Sequence, residues 1–451
     1  MAACVGLAVC PAAAEAAPQD VPTPAVTGPI ETTGTSHPFF ATDRPLARRG
    51  YVEEEYFIEG RARNFSTPPL ATGSEIAGGA EYRTRIVVRR PRNARRFSGT
   101  VVLEWVNVTA QFDIEIDWFV SNEHFMRRGD AWVGVSVQRV GVNALRQWQQ
   151  DPERYASLDV TAGETVTPSD ALSYDIYSQA AKALRSPGAV DPIGGLRVER
   201  IIATGHSQSA SRLATYHNSV HPLHGVVDGF LIHGSQAALR TDLSVKVIRL
   251  LAEGDVTAPS TEQDTDRFRR WEVAGSSHVG FKERSQYEPL IVRDRGSLSS
   301  TACDRPPFSR IPFHHVQNAA YVHLERWIEG GPPPPVAPRI AWLSSDPPRK
   351  ARDARGNALG GIRLPGHVVP TGVNTGDNSG PAFCRLYGSH VPFDEATLAR
   401  LYPRHADYVA RVNRAARAAV REGFLLEPDA RATRRAAARS DIGRSPDDDY
   451  S

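Results

Sequence analysis

Several motifs that define large protein classes are missing from this sequence. It contains no H-E-x-x-H, no G-x-x-x-x-G-K-[ST] and no G-x-G-x-x-G after a strand-like run, so metalloprotease and nucleotide-binding functions lack support. The net charge is only +2 over 451 residues, which gives no reason to expect a nucleic-acid partner or an anionic membrane surface. No stretch is long and apolar enough for a membrane span, and no internal repeat is visible.

Cysteine is rare, with four residues in the chain. Cys4 and Cys10 fall within residues 1–17, an apolar segment that ends in an A-x-A-like site and lacks a positively charged start. The pattern predicts a signal peptide that continues upstream, and a periplasmic or secreted mature protein. Cys303 and Cys384 remain. Two cysteines in an exported protein predict one disulfide, and two unrelated buried thiols are the alternative.

The rest of the chain has a globular composition, 41% hydrophobic and 23% charged. Apolar runs alternate with helical periodicity, which predicts an α/β fold with a doubly wound, mostly parallel sheet. Residues 51–60 and 81–90 alternate like antiparallel strands, the first at a sheet edge. Residues 113–128 form a polar segment compatible with a helix. Runs at 100–107, 131–137, 226–232, 246–252 and 271–274 are expected to be more central strands.

Changes in composition predict the domain organisation. An α/β core is expected over residues 18–335, with a polar loop or cap insertion near 141–170. Pro332–Pro335 mark a boundary, after which residues 336–430 read as a C-terminal extension, rich in glycine and proline at first and helical later. The last stretch, 431–451, has few apolar side chains and is expected to be disordered.

The most informative stretch is a strand-turn-helix at residues 200–216. Ile201-Ile202-Ala203 reads as the end of a buried strand, and Gly205-His-Ser-Gln-Ser209 forms a turn before a helix. This is the layout of the nucleophile elbow of α/β-hydrolases, in which a strained turn exposes the central serine, here Ser207. Ser209 departs from the usual second glycine but is small. The pentapeptide alone also fits an ordinary strand-to-helix turn.

Two later strand ends supply the partners that a nucleophilic serine needs. Residues 246–252 lead into Glu253-Gly254-Asp255, and residues 271–274 lead into a small-residue loop that ends at His278. Serine, then acid, then histidine is the chain order of α/β-hydrolases. His278 is the predicted base and Asp255 the predicted acid that orients it. The acids that stay open as alternatives are Glu253 and, more distantly, Asp264 or Asp266.

An oxyanion hole requires two aligned N–H donors. One is expected from Gln208, which follows the nucleophile, and the other from the loop after strand 100–106. That loop reads Asn107-Val-Thr109, so the second donor is expected near Val108, with the Asn107 side chain shaping the turn.

A histidine cluster after the elbow helix is the one candidate metal site. His217, His221 and His224 include a spacing of four, which could place two imidazoles on one helical face. Pro222 interrupts that helix and no acid completes the set. We therefore predict neither a metal nor a cofactor.

Four segments together resemble the bacterial "alpha/beta hydrolase domain-containing" proteins: Glu104–Thr109, Ser173–Ile176, Gly205–Ser209 and Arg269–His278. The resemblance extends from about Tyr51 to the C-terminal helices. It implies a serine hydrolase fold and an esterase activity, with Ser207 and His278 at the motif positions.

The sequence thus predicts an exported serine hydrolase that cleaves a small-molecule carboxylic ester through an acyl-enzyme. A peptidase or amidase with the same triad is one alternative, and a non-catalytic binding module on a hydrolase fold is another. No oligomeric state follows from the sequence.

Overall fold

The computed structural model describes residues 18–32, 36–166, 168 and 170–444. The signal peptide predicted at residues 1–17 lies outside the described residues, and so does the end of the predicted disordered tail, residues 445–451. Among the described helices, none combines the length and the apolar character that crossing a membrane requires.

One nine-stranded sheet forms the centre of the protein. Its strands are β1 (Ala25–Thr27), β2 (Tyr51–Phe65), β3 (Glu75–Pro91), β4 (Thr100–Trp105), β5 (Ala131–Val135), β6 (Arg200–His206), β7 (Gly229–His233), β8 (Lys246–Ala252) and β9 (Phe268–Val273). They lie in the order β1-β2-β3-β5-β4-β6-β7-β8-β9. In this spatial order, the neighbours β1-β2-β3-β5 pair antiparallel, and the neighbours β5-β4-β6-β7-β8-β9 pair parallel.

Helices lie between the successive strands from β4 to β7, and further helices follow β9. They are α1 (Ile116–Arg128), α2 (Arg139–Arg146), α3 (Ser173–Arg185), α4 (Gln208–Thr215), α5 (His221–His224), α6 (Phe281–Arg295) and α7 (Phe313–Ile328). Every residue of β4, β5, β7 and β9 is buried, which explains why β4, β5 and β7 are largely apolar without alternation. In β9 the buried Arg270 and Glu272 form an ion pair at 2.6 Å. The α/β class and the mostly parallel sheet are therefore confirmed.

The C-terminal part adds short elements and three longer helices. They are β10 (Trp342–Ser345), β11 (Pro348–Lys350), α8 (Pro365–Val368), β12 (Gly372–Thr375), α9 (Cys384–Tyr387), β13 (Ser389–Pro392), α10 (Glu395–Leu401), α11 (His405–Arg421) and α12 (Glu427–Arg439). The disorder expected from residue 431 is wrong, because α12 continues to Arg439. Ala430 and Ala437 are small enough to be buried, and alanine favours the helix.

One further expectation needs correction. The strand predicted at residues 51–60 is not the sheet edge, because β1 pairs with β2 and covers it at Phe57–Glu59. β1 has only three residues, too few for its alternation to be recognised. The helix-compatible segment at 113–128 does contain a helix, α1, which is largely buried and whose first N–H groups donate to the Glu104 carboxylate of β4 at 3.0 and 3.2 Å.

The predicted insertion near 141–170 begins inside α2 and continues as turns. Trp148 and Tyr155 in this segment are buried. The Trp148 ring centroid lies 5.5 Å from that of Phe39, and the Tyr155 hydroxyl accepts the Phe39 N–H at 2.8 Å. The segment thus packs against Phe39, in the stretch that precedes β2.

Candidate active site

Ser207 occupies a strained position between β6 and α4. Its backbone has φ 60° and ψ −115°, a conformation that non-glycine residues rarely adopt. A Cβ on Gly205 would lie 3.1 Å from the Ser209 Oγ, so the strand and helix approach closely there. Ser209, where a second glycine was expected, is fully buried. Its hydroxyl donates to the His206 carbonyl at 2.9 Å and accepts the His206 N–H at 3.0 Å, which fixes the turn.

His278 and Asp255 come together at the ends of β9 and β8. The His278 Nδ1 is hydrogen-bonded to the Asp255 Oδ1. The Asp255 Oδ2 accepts the Ala252 N–H at 2.7 Å, which holds the carboxylate over the short turn Glu253–Asp255. Because Nδ1 is engaged, Nε2 is the His278 nitrogen left for another partner. Both His278 and Ser207 line the same cavity.

The alternative acids have other partners. Glu253 is fully buried, accepts the Gly275 N–H at 2.7 Å and forms an ion pair with Arg352 at 2.8 Å. It therefore braces the loop that leads to His278. The Asp264 carboxylate accepts the Arg270 N–H at 2.9 Å and pairs with Arg339 at 3.1 Å. Asp266 is highly exposed and lies 3.7 Å from Arg267.

The expected oxyanion residues lie around the elbow. Gln208 is the first residue of α4, a position where a backbone N–H has no partner within the helix. The Asn107 side chain donates to the His206 carbonyl at 2.7 Å and accepts the Thr109 N–H at 2.8 Å. Asn107 therefore ties the Val108 loop to the elbow. Val108 and Gln208 line one depression together with Ser207.

Two buried histidines, His206 beside His278 and His233 beside His206, were not recognised as part of the site from the sequence. The His206 ring centroid lies 4.3 Å from that of His278 and 4.2 Å from that of His233. Burial lowers the pKa of His206 well below its ordinary value, and the two neighbouring imidazoles lower it further. His206 and His233 are register partners at the ends of β6 and β7. A histidine at the ends of two successive strands was the sequence signal that could have predicted this pair.

The cavity beside Ser207 has a volume of about 140 Å³. Asn107, His206 and His278 form its wall near the serine. Further apolar wall comes from several separate elements, with Phe112, Ile114, Ile116, Ile291, Phe383 and Leu386. A second, more open depression also reaches Ser207 and is lined by polar side chains, including Gln138, Asp170, Arg212 and Gln236.

A disulfide lies beside one wall of the 140 Å³ cavity next to Ser207. Cys303 and Cys384 are bonded, with a Cα–Cα distance of 5.4 Å and a sequence separation of 81 residues. Cys384 begins α9, and Phe383, Leu386 and Tyr387 around it line the cavity. The disulfide expected from the sequence is thus present, and it lies next to the candidate site.

The histidines considered for a metal have separate partners. His217 Nδ1 contacts Asn218 Oδ1 at 3.0 Å, His221 Nε2 donates to the Val227 carbonyl at 3.0 Å, and His224 Nδ1 contacts the Ser178 hydroxyl at 2.7 Å. Burial lowers the pKa of His217 to about 3 and that of His224 to about 4. In the described part of the chain, no group of three or more potential ligands is arranged to hold a metal ion.

The strand order, the elbow and the strand-end histidine define an α/β-hydrolase fold. The chain belongs to the family described as "Alpha/beta hydrolase domain", whose model matches residues 26–435. Comparison with curated protein sequences gives no match.

Several solved structures are similar over part of the chain. Acetyl xylan esterase 1 from Thermoanaerobacterium sp. is 12% identical over 46% of this chain and 52% of its own, with a TM-score of 0.25. A glucuronoyl esterase from Teredinibacter turnerae is 13% identical over 48% and 46%, with a TM-score of 0.24. An a/b serine hydrolase without lid from Xanthomonas campestris is 12% identical over 53% and 96%, with a TM-score of 0.28. The chain thus spans about half the length of the two esterases, and these scores carry no argument about activity.

Proposed function

We propose that this protein is an exported serine hydrolase that cleaves carboxylic esters through an acyl-enzyme. The observation that carries the proposal is the bond between His278 Nδ1 and Asp255, formed where His278 and Ser207 line one cavity. A serine hydroxyl is a weak nucleophile until a base takes its proton, and an imidazole held by a carboxylate is such a base.

In the proposed reaction, the Ser207 Oγ attacks the ester carbonyl while His278 Nε2 accepts the hydroxyl proton. Asp255 keeps the proton of His278 on Nδ1 and stabilises the imidazolium that forms. The N–H groups of Gln208 and Val108 stabilise the oxyanion. Collapse of the tetrahedral intermediate expels the alcohol, which receives the proton from His278. Water then attacks the acyl-enzyme with His278 again as base, and releases the acid and Ser207.

A panel of substrates tests the ester activity. We expect turnover of 4-nitrophenyl esters and much slower turnover of peptide 4-nitroanilides, because an amine leaves less readily than a phenolate. Anilide turnover equal to ester turnover would favour a peptidase. An alkyl fluorophosphonate should label Ser207, with the site identified by mass spectrometry. Labelling of Ser209 or Ser211 instead, or no labelling of the folded protein, would contradict the mechanism.

Export is part of the same proposal. The disulfide between Cys303 and Cys384 supports export, because such bonds persist in oxidising compartments and are rare in the cytosol. We expect the mature protein to begin near Ala17 or Pro18 and to be found in the periplasm or the medium. Fractionation of the native host with N-terminal sequencing tests this, and an intact N-terminus in the cytoplasmic fraction would oppose it.

A further inference from the structure

Two charged residues of α6 face the cavity beside Ser207. Glu283 and Arg284 both line that cavity, and each is only 4% exposed. The ester mechanism gives neither of them a role. Charged side chains at this level of burial require partners, so their bonds indicate what they could bind.

Arg284 has donors that are poorly used. Its Nε donates to the Glu288 Oε1 at 2.7 Å. The terminal nitrogens make long contacts of 3.5 Å, from Nη1 to the Tyr387 hydroxyl and from Nη2 to the Ser299 carbonyl. The guanidinium also interacts with Tyr287 and lies 5.5 to 5.8 Å from the ring centroids of Tyr287, Phe308 and Tyr387. Normal bonds of this type measure about 2.7–3.2 Å, and a guanidinium carries five N–H donors. Since Tyr387 and Ser299 also line the cavity, the terminal nitrogens lie at its wall.

Glu283 supplies a second donor at the same wall. Among the described residues, its Oε1 is buried without a hydrogen-bond partner. Burial raises the pKa of Glu283 to about 8, and the negative charges of Asp117 and Asp255 add to the rise against the opposing effects of the Gly280 N–H and Arg284. Glu283 is therefore protonated at neutral pH. A neutral carboxyl group can donate a hydrogen bond to an anion, which an ionised one cannot do.

Resting on the esterase function proposed above, we propose that the cavity binds an acyl group ending in a carboxylate, held by Arg284 and Glu283. The substrates would be monoesters of dicarboxylic acids. A guanidinium is suited to carboxylates because its paired N–H groups match the two oxygens. The apolar side chains that line the same cavity suit a methylene chain.

The cavity volume is compatible with a short chain. Its volume of about 140 Å³ is close to the ~150 Å³ of an engineered cavity that accommodates benzene. Benzene has six non-hydrogen atoms, and the glutaryl group has six beyond the carbonyl carbon that Ser207 attacks. Glutarate monoesters are therefore the substrates we would test first.

The kinetic experiment compares two esters with the same leaving group and equal acyl size. The charged ester is 4-nitrophenyl hydrogen glutarate, and the uncharged one is 4-nitrophenyl 5-methylhexanoate. Spontaneous hydrolysis is subtracted using Ser207→Ala. We expect kcat/KM to favour the glutarate ester in the wild type, and Arg284→Gln to lower that preference about 10- to 100-fold. Arg284→Lys should restore part of it. Arg212→Gln, in the second depression, should leave the ratio unchanged.

A binding experiment separates this proposal from the esterase proposal. Glutarate binding to Ser207→Ala, measured by calorimetry, needs no catalysis. It should be lost in Ser207→Ala/Arg284→Gln, and 5-methylhexanoate should bind more weakly than glutarate. Arg284-dependent binding without ester turnover would support the carboxylate site and oppose the esterase function. Turnover of both esters by the wild type without preference for glutarate would overturn the carboxylate site and leave the esterase function standing. So would loss of preference in Arg212→Gln but not in Arg284→Gln.

Discussion

The imidazole of His206 lies against that of His278, with ring centroids 4.3 Å apart. His206 stays neutral because its pKa is lowered by burial and by the two adjacent histidines. A neutral ring next to His278 restricts its rotation without placing a second positive charge beside the imidazolium of the proposed mechanism. We infer that His206 positions His278 and takes no part in proton transfer.

Gly234 tests this packing. A Cβ at Gly234 would lie 2.9 Å from the His206 ring and 3.2 Å from His278 Cε1. Gly234→Ala should therefore displace both imidazoles and lower kcat about 10- to 100-fold, measured with a 4-nitrophenyl ester. Gly330→Ala is the control, since Gly330 also has a positive φ but no atom within 4 Å of the added Cβ. Equal activity of the two variants would contradict the inference that His206 positions His278.

Ser207→Ala should lower ester turnover about 10⁴-fold or more, because the proposed acyl-enzyme forms on the hydroxyl that this substitution removes. The substitution removes one hydroxyl from the elbow, and the unfolding midpoint should remain close to that of the wild type. Ester turnover by the folded variant at a similar rate would refute the serine mechanism.

The acids at the end of β8 should respond differently to amide substitution. Asp255→Asn should lower kcat about 10³- to 10⁴-fold with little loss of stability, through the wrong tautomer and an unstabilised imidazolium. Glu253→Gln should retain most of kcat but lower the free energy of unfolding by about 3 kcal/mol, because the buried Glu253 would no longer pair with Arg352 as a charge. Measuring kcat and urea unfolding for both variants tests the assignment. The reverse ranking in kcat would make Glu253 the triad acid.

Local patterns were sufficient to predict the parallel strands, the elbow and the strand ends that carry Asp255 and His278. In parallel strands these features depend on short apolar runs and on the turn that follows each run. Helix α6 gave no such signal because charged residues, together with Pro289, interrupt its apolar pattern. Glu283 and Arg284 were missed for that reason. The cavity wall at Phe383 and Tyr387 depends on distant parts of the chain packing together, which no local pattern reports.

Reduction of the disulfide should affect both stability and the cavity. The bond closes a loop of 81 residues, for which the chain-entropy estimate is about 4–5 kcal/mol as an upper value. A Cys303→Ser/Cys384→Ser variant should lose roughly 2–5 kcal/mol of unfolding free energy and show a higher KM, because Phe383 and Tyr387 are no longer held. Urea unfolding with and without reductant measures the first effect. Two free thiols in the unreduced, denatured wild type would show that the bond is absent in solution.

Glu283 should make stability depend on pH. Burial raises its pKa from 4.5 to about 8 in the folded protein. Between these values the folded state holds a proton that the unfolded chain has released, so this contribution to stability falls as pH rises and the loss is complete above pH 8. Glu283→Gln removes the penalty and should raise the free energy of unfolding by roughly 2–4 kcal/mol at pH 8, with little gain near pH 4.

Urea unfolding of wild type and Glu283→Gln at several pH values between 4 and 9 measures that difference. The exposed Glu422, at the end of α11, provides the control, and Glu422→Gln should follow the wild-type curve. Asp117 and Asp255 are present in both proteins, so the comparison isolates the effect of residue 283. The stability gain of Glu283→Gln should rise steadily between pH 5 and 8. In that window the wild type loses stability with each unit of pH, because its folded state must keep Glu283 protonated, whereas the variant has no such cost. A gain that stays constant across this window would mean that Glu283 is already ionised in the folded protein, and it would then repel the carboxylate that Arg284 is proposed to bind.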